Sequence, residues 1–228
     1  MPSDETLTRG RLKTPRAAAI AGIVFSILLI AIIALLRLSV PADPSESGAW
    51  LSTHRKTVVL ALNLVPFDGI AFLWFIGVLR DRLGQREDRF FATVFFGSGL
   101  LFLAMLFAAA AIVGALVLAF AAAPAELVNS PTFHFARAAA FIIANVYAMK
   151  MAAVFMISTS TVAMSTRFAP RWIAILGYVL ALILLFGGSA VAWSIVVLPA
   201  WVLLVSIYIL IDNFRRPHLP PMAEMAER

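Results

Sequence analysis

Phe90–Ala123 reads FFATVFFGSGLLFLAMLFAAAAIVGALVLAFAAA, a run of 34 residues without one charge. The hydrocarbon core of a bilayer needs about 20 apolar residues per helix. Strands of a membrane barrel would instead show about ten residues each, alternating in polarity. An unbroken run of this kind predicts a transmembrane helix. As one helix it would be about 51 Å long, more than the core is thick. It must tilt, break near Gly114 or project beyond the bilayer. Projection of its Ala-rich end into the outer headgroup region is the expectation.

The same criterion finds further spans on either side, at Ala17–Leu36, Thr57–Leu79, about Ala138–Met164, about Trp172–Phe186 and about Val191–Ile211. The fifth in chain order is short, and Gly187-Gly188-Ser189 predicts a tight hairpin into the sixth. The expected fold class is all-α, a single polytopic bundle of six transmembrane helices over residues 17–211. It is preceded by a segment 1–16 and followed by a tail 212–228, where Pro217, Pro220 and Pro221 predict disorder. Composition agrees. The chain is 62% hydrophobic and 13% charged, against roughly 45–50% and about 25% in a soluble domain. So few charges cannot cover so large an apolar content, which excludes soluble, disordered and fibrous classes. There are no cysteines, so disulfides, thiolate metal sites and cysteine nucleophiles are excluded too.

Charge sets the expected orientation. Arg9, Arg11, Lys13 and Arg16 precede the first apolar run as in a signal peptide. That run is too long and lacks a small-residue cleavage site, so it reads as an uncleaved first helix. With the N-terminus inside, inner segments carry thirteen Lys and Arg (Arg9, Arg11, Lys13, Arg16, Arg80, Arg82, Arg86, Arg89, Arg167, Arg171, Arg215, Arg216, Arg228) and outer segments three (Arg37, Arg55, Lys56). This bias predicts both termini in the cytoplasm. The net charge of +6 flanks apolar runs and forms no patch for nucleic acid. Trp50, Trp172 and Trp193 fall near span ends, as an aromatic belt requires.

Two charges lie where the bilayer is thickest. Asp68 is 12 residues from both Lys56 and Arg80, about 18 Å along a helix from each. Lys150 follows Arg137 by 13 residues and precedes Arg167 by 17, about 20 and 25 Å, beyond the reach of a snorkelling stem. Each charge costs roughly 2.5–3.5 kcal/mol at a helix centre. Both spans run in the same direction, so the two groups share a depth. The expectation is a buried Asp68/Lys150 polar centre, serving either as a substrate or proton site or as a structural pair that fixes helix register.

Nearby residues add polar capacity. Asn63 precedes Asp68, and Pro66 between them leaves the Leu62 carbonyl without its helical donor and predicts a kink. Tyr147 lies one turn from Lys150 on its face. Asn145 is about 140° away around the helix and faces another neighbour. Ser158–Thr161 are expected to bond their own backbone or a packing helix. Pro199 predicts a second kink. Arg137, at the start of the fourth span, is expected to snorkel to the outer interface. His54, His134 and His218 lie outside the spans without i, i+4 spacing, so no metal or cofactor is expected. No phosphate loop, HExxH, GxSxG or paired intramembrane carboxylate occurs.

The stretch Gly77-Val78-Leu79-Arg80-Asp81-Arg82-Leu83-Gly84-Gln85-Arg86 resembles the cytoplasmic signature between helices two and three of major facilitator transporters. The matching positions are Gly77, Leu79, Asp81, Arg82, Gly84 and Arg86. The resemblance implies a latch between acid and bases on the cytoplasmic side during alternating access. Six spans equal half of such a transporter, and the fourth span lacks that family's Gly-rich pattern after Arg137. The overall layout, from the basic start into Ala17–Gly22 to Pro170-Arg171-Trp172 opening a final hairpin, resembles a broad group of six-span bacterial membrane proteins, a domain of unknown function. That resemblance implies a fold and a location but no chemistry.

Function at this level reads as a non-enzymatic integral protein of the bacterial inner membrane. The alternatives are a small-solute or proton-coupled transporter acting as a dimer, and a membrane enzyme on lipid substrates that lacks a catalytic cluster. The lipid bilayer is the expected partner, and no nucleic acid is expected. Small-xxx-small spacings such as Ala18/Gly22/Ser26 and Ala110/Gly114 allow close packing within the chain or in a homo-oligomer. No residue pattern names a substrate.

Overall fold

The computed structural model describes residues 14–41, 43, 45–83, 89–128, 130–166, 169–187 and 194–215, and their regular secondary structure is helical. The long apolar runs leave helices as the economical way to satisfy every backbone group in hydrocarbon. They are α1 (Thr14–Ser39), α2 (Trp50–Leu83), α3 (Arg89–Ala122), the single turn α4 (Pro124–Leu127), α5 (Pro131–Ile142), a π-helical segment Ile143–Ala148, α6 (Met149–Thr166), α7 (Arg171–Phe186) and α8 (Ser194–Arg215). α5, the π segment and α6 follow one another without a break and form one rod.

Five stretches among the described residues are long and apolar enough to cross a bilayer: Ala17–Ser39, Trp50–Arg80, Thr93–Ala122, Pro131–Ser165 and Ser194–Asn213. α7, with 16 residues, is about 24 Å long and falls short of that length. The outer surface is apolar to match. Ile20, Ile27, Phe67, Trp74, Phe135 and Phe186 are each more than half exposed, as lipid-facing side chains would be. The chain is a helical membrane protein.

The helix bounds sharpen several expectations. α3 runs unbroken from Arg89 to Ala122, which rules out the break near Gly114 and leaves tilt or projection for the long third span. The fourth span begins at Pro131, seven residues before Ala138. Ser130 caps it by accepting a hydrogen bond from Phe133 N (3.1 Å), and Pro131, lacking an N–H, suits the first turn. α2 continues through Leu83, so the start of the Gly77–Arg86 stretch is helix rather than loop. Gly84 and Arg86 lie outside the described residues, as do Gly188 and Ser189 of the expected hairpin turn and Trp193.

α1 packs against α2 and α8, α6 against α7, and α3 against α2 and the α5–π–α6 rod. Small residues permit the closest approaches. A Cβ on Gly22 of α1 would meet Ser206 Oγ of α8 and the Phe75 ring of α2. One on Gly177 of α7 would meet Ser160 Oγ of α6 and Trp201. The Ala18/Gly22/Ser26 spacing is thus used inside the chain. Gly114 has only Leu62 at 3.9 Å, so the Ala110/Gly114 spacing marks no comparably close contact.

The core is dominated by phenylalanine. Phe72 stands among Phe25 (ring centroids 4.5 Å), Phe155 (5.3 Å), Phe102 (5.5 Å) and Phe75 (6.4 Å), and Phe155 stacks on Phe95 (5.0 Å). Side chains from α1, α2, α3 and α6 meet there. Offset and edge-on ring pairs of this kind add roughly 0.5–1.5 kcal/mol each beyond area burial. This cluster occupies the half of the bundle toward Arg80, whose guanidinium lies 4.9 Å from the Phe96 ring centre. The half toward Arg37 is less filled, and the site is there.

Candidate functional site

A cavity of about 220 Å³ lies between α1, α2, α3 and α5 with its π extension. Its depth follows from the residue numbers on each helix. Leu29, Asp68, Leu106 and Asn145 line its mid-span end; Arg37, Pro41, Trp50 and Arg137 line its end toward the loop between α1 and α2. Leu29 to Arg37 spans about 12 Å of helix. The walls between are Ile32, Ile33, Val65, Ala109, Ala110 and Ala140, which offer methyl groups and no hydrogen bonds.

Asp68 is the exception. It is 1% exposed, and its Oδ1 has no hydrogen-bond partner. Phe72, one turn further on and on the same face of α2, belongs to the aromatic cluster that closes the space beyond it. The carboxyl therefore sits at the blind end of an apolar cavity. A buried polar atom left unpaired costs about 1–3 kcal/mol, and an isolated buried charge costs more. Pro66, two residues earlier, lies inside α2 and removes one backbone N–H from the helix beside the site.

The expected Asp68–Lys150 ion pair is not formed. Lys150 is exposed on the outside of the rod while Asp68 is buried. The depth argument placed both in mid-span, but their directions differ. Tyr147, 56% exposed, is on the Lys150 side, as the one-turn spacing implies. Asn145 instead lines the cavity with Asp68, and its Nδ2 donates to Phe141 O (3.0 Å). Asn63 is exposed on α2, outside the cavity that holds Asp68. Of the five residues, Asp68 and Asn145 line one cavity, and Asn63, Tyr147 and Lys150 are exposed.

The π segment Ile143–Ala148 explains part of this. Bonding from i to i+5 inserts a residue into the helix, and such insertions are frequent at functional sites. It widens the rod beside the cavity and rotates every later side chain, Lys150 included, away from the direction a regular helix would give.

Arg137 does not snorkel. It is 6% exposed and reaches across to the loop between α1 and α2. Nη2 donates to Pro41 O (2.9 Å) and Asp43 O, and Nη1 donates to Glu46 O. Three backbone carbonyls accept from the guanidinium, and these bonds hold the loop at this end of the cavity. A planar fork of donors does this where an ammonium would not. The loop is shaped in turn by Asp43, whose Oδ1 accepts from Ser45 N (2.8 Å) and Ser45 Oγ (2.7 Å). Those bonds hold the Asp43 carboxyl below the usual carboxylate range, helped by the Arg137 charge. Trp50, at the same end of the cavity, is buried with its Nε1 unpartnered.

The remaining candidates are settled by position. Ser158, Thr159 and Thr161 donate to the carbonyls four residues back, at 2.9, 2.7 and 2.9 Å, and Thr161 also meets Tyr178 OH at 2.7 Å. Gly77 is exposed on α2 with nothing within 4 Å of an added Cβ. Asp81 and Arg82 lie on the last turn of α2. Sequence reasoning missed the aromatic closure and the Arg137 anchor. The phenylalanines at 72, 75, 95, 102 and 155 carried the first signal, and nothing local carried the second. Comparison with protein-family models, curated proteins and solved structures found no match.

Proposed function

We propose that the chain is a six-span protein of the bacterial inner membrane, with both termini in the cytoplasm, that binds a small solute in a cavity open to the outside. In this reading α7 is the sixth span, and the excess of basic residues around Arg80 and Arg89 puts that end inside. The end bearing Arg37 and Arg137, where the cavity opens, then faces out. The protein is non-enzymatic and works as a small-solute or proton-coupled carrier held in one of its access states. A membrane enzyme on lipids is disfavoured because the cavity carries one carboxyl and no nucleophile beside it.

One observation carries the reading. Asp68, at mid-span, has an unpaired carboxyl oxygen at the blind end of an apolar cavity. Intramembrane carboxyls of this kind mark solute and proton pathways. A dimeric carrier also fits, because a neighbouring chain would cover the exposed Lys150.

The absence of cysteine makes the test direct. Ala109→Cys and Ala144→Cys each place a thiol on the cavity wall. A membrane-impermeant thiol reagent should modify both from the outside of sealed cells and neither from the inside of inverted vesicles. Labelling from the inside only, or from neither side, would overturn the reading.

A further inference from the structure

We propose that this cavity is a binding site for a compact apolar amine, whose ammonium group meets the carboxyl of Asp68. The inference rests on the solute-site reading above and names the ligand's chemistry.

The walls decide the body of the ligand. Leu29, Ile33, Val65, Leu106 and Ala110 present only hydrocarbon, so most of the bound surface must be apolar. The deep end decides the head. Asp68 Oδ1 is buried and unpartnered. Asn145, which also lines this end of the cavity, donates one of its two amide hydrogens to Phe141 O. No described residue donates to Asp68 Oδ1, so the protein presents an open acceptor there and a ligand can bring the donor. An ammonium brings both the donor and the compensating charge, and buried carboxylates are tolerated when paired and hydrogen-bonded. A hydroxyl brings a donor without charge. A carboxylate brings an anion into a low-dielectric end lined by Leu29, Val65 and Leu106, where no cation meets it.

Size follows from closure. Phe25, Phe72 and Phe102 close the space beyond Asp68, and the cavity holds about 220 Å³. A compact cage fits this better than an extended chain. The mouth carries Arg37 and Arg137, but Arg137 is committed to three loop carbonyls. The cationic end of the ligand lies a full cavity length away from both.

Three probes share one apolar cage and differ only in the head: 1-adamantylamine, 1-adamantanol and 1-adamantanecarboxylate. Binding to the full chain in nanodiscs, measured by equilibrium dialysis, should favour the amine by about tenfold or more over the other two. Asp68→Asn should abolish that preference, and Asp68→Glu should keep part of it. The carboxylate binding best, all three binding alike, or Asp68→Asn keeping the preference would each overturn the proposal. Should the Asp68 variants fail to fold, protection of Ala144→Cys from thiol reagent by the amine, and not by the alcohol, replaces them; equal protection by both would overturn it. If the cavity cysteines label from outside but no amine preference exists, the ligand class is wrong and the outward-open site stands. If they do not label, the site reading falls first.

Discussion

Asp68→Leu should make the protein more stable. In the structure Asp68 is 1% exposed and its Oδ1 has no partner, so removing the carboxyl relieves an unpaired buried acceptor, worth about 1–3 kcal/mol. Leucine adds apolar contact with a wall that already consists of Leu29, Ile33, Val65 and Leu106, a gain of about 1 kcal/mol. Its larger side chain presses toward Phe72, which takes back about 1 kcal/mol, though the cavity leaves room on the other side. The net expectation is a stabilisation of about 1–3 kcal/mol. For a chain of this size each kcal/mol moves the melting temperature by roughly 2–4 °C, so a rise of about 2–12 °C should appear in tryptophan-fluorescence melts of wild type and variant in one detergent. If Asp68 were half of a buried ion pair, the same substitution would strand a charge and cost about 3–5 kcal/mol, and the melt would fall. A drop of several degrees would refute the claim that the carboxyl is unpaired, and with it the argument that a ligand can supply its partner. Residues kept for binding at the expense of stability behave in this way.

Arg137→Leu should free the loop between α1 and α2 by leaving three carbonyls without their donor, at a cost on the order of 2–4 kcal/mol; cleavage at Glu46 by a glutamate-specific protease should accelerate strongly, and Arg137→Lys should not restore protection, because one ammonium cannot span the three sites. Lys150→Leu should shift stability by less than about 1 kcal/mol, as for an exposed position; a loss of several degrees in the melt would mean that Lys150 has a partner inside the bundle. Gly22→Ala should destabilise by about 1–3 kcal/mol through overpacking against Ser206 and Phe75, and Ser206→Ala in the same chain should recover part of it in chemical-denaturation curves. Asp43 makes the loop pH-sensitive: its carboxyl is held below 3.8 by Ser45, so the fold favours the ionised form. That small contribution is complete above 3.8 and is lost as pH falls through the lowered value, so Glu46 cleavage by an acid-stable protease at pH 3, compared with pH 5, should rise in wild type and be already elevated at pH 5 in Asp43→Ala.

The helices were legible in the sequence because burial in lipid requires long charge-free runs, and Phe90–Ala123 admits no other reading. Helix ends were less so. The segment from Pro131 to Arg137 looks polar enough to lie outside the membrane, and its helix extends because Arg137 is satisfied by loop carbonyls far away in sequence. The depth of Asp68 and Lys150 followed from counting residues; their direction did not. Azimuth depends on the residues per turn, and the π segment before Lys150 changes that number without a composition signal. Asn145 and Lys150 do differ in surroundings, Asn145 lining the cavity and Lys150 exposed, but Asn145 lies inside the π segment, so the regular-helix angle of about 140° does not describe the pair. The aromatic closure around Phe72 needs four helices brought together, and no single segment encodes it.

Two positions on one rod provide the most direct test of the central claim. Nitroxide labels on Asn145→Cys and Lys150→Cys, placed one at a time in nanodiscs, can be probed by power saturation with oxygen, which partitions into lipid, and with a water-soluble nickel chelate. The account predicts nickel access at 145, through the cavity, and oxygen access without nickel at 150, on the outer surface. Nickel access at 150 with none at 145 would contradict it, because the polar centre would then lie on the lysine side of the helix.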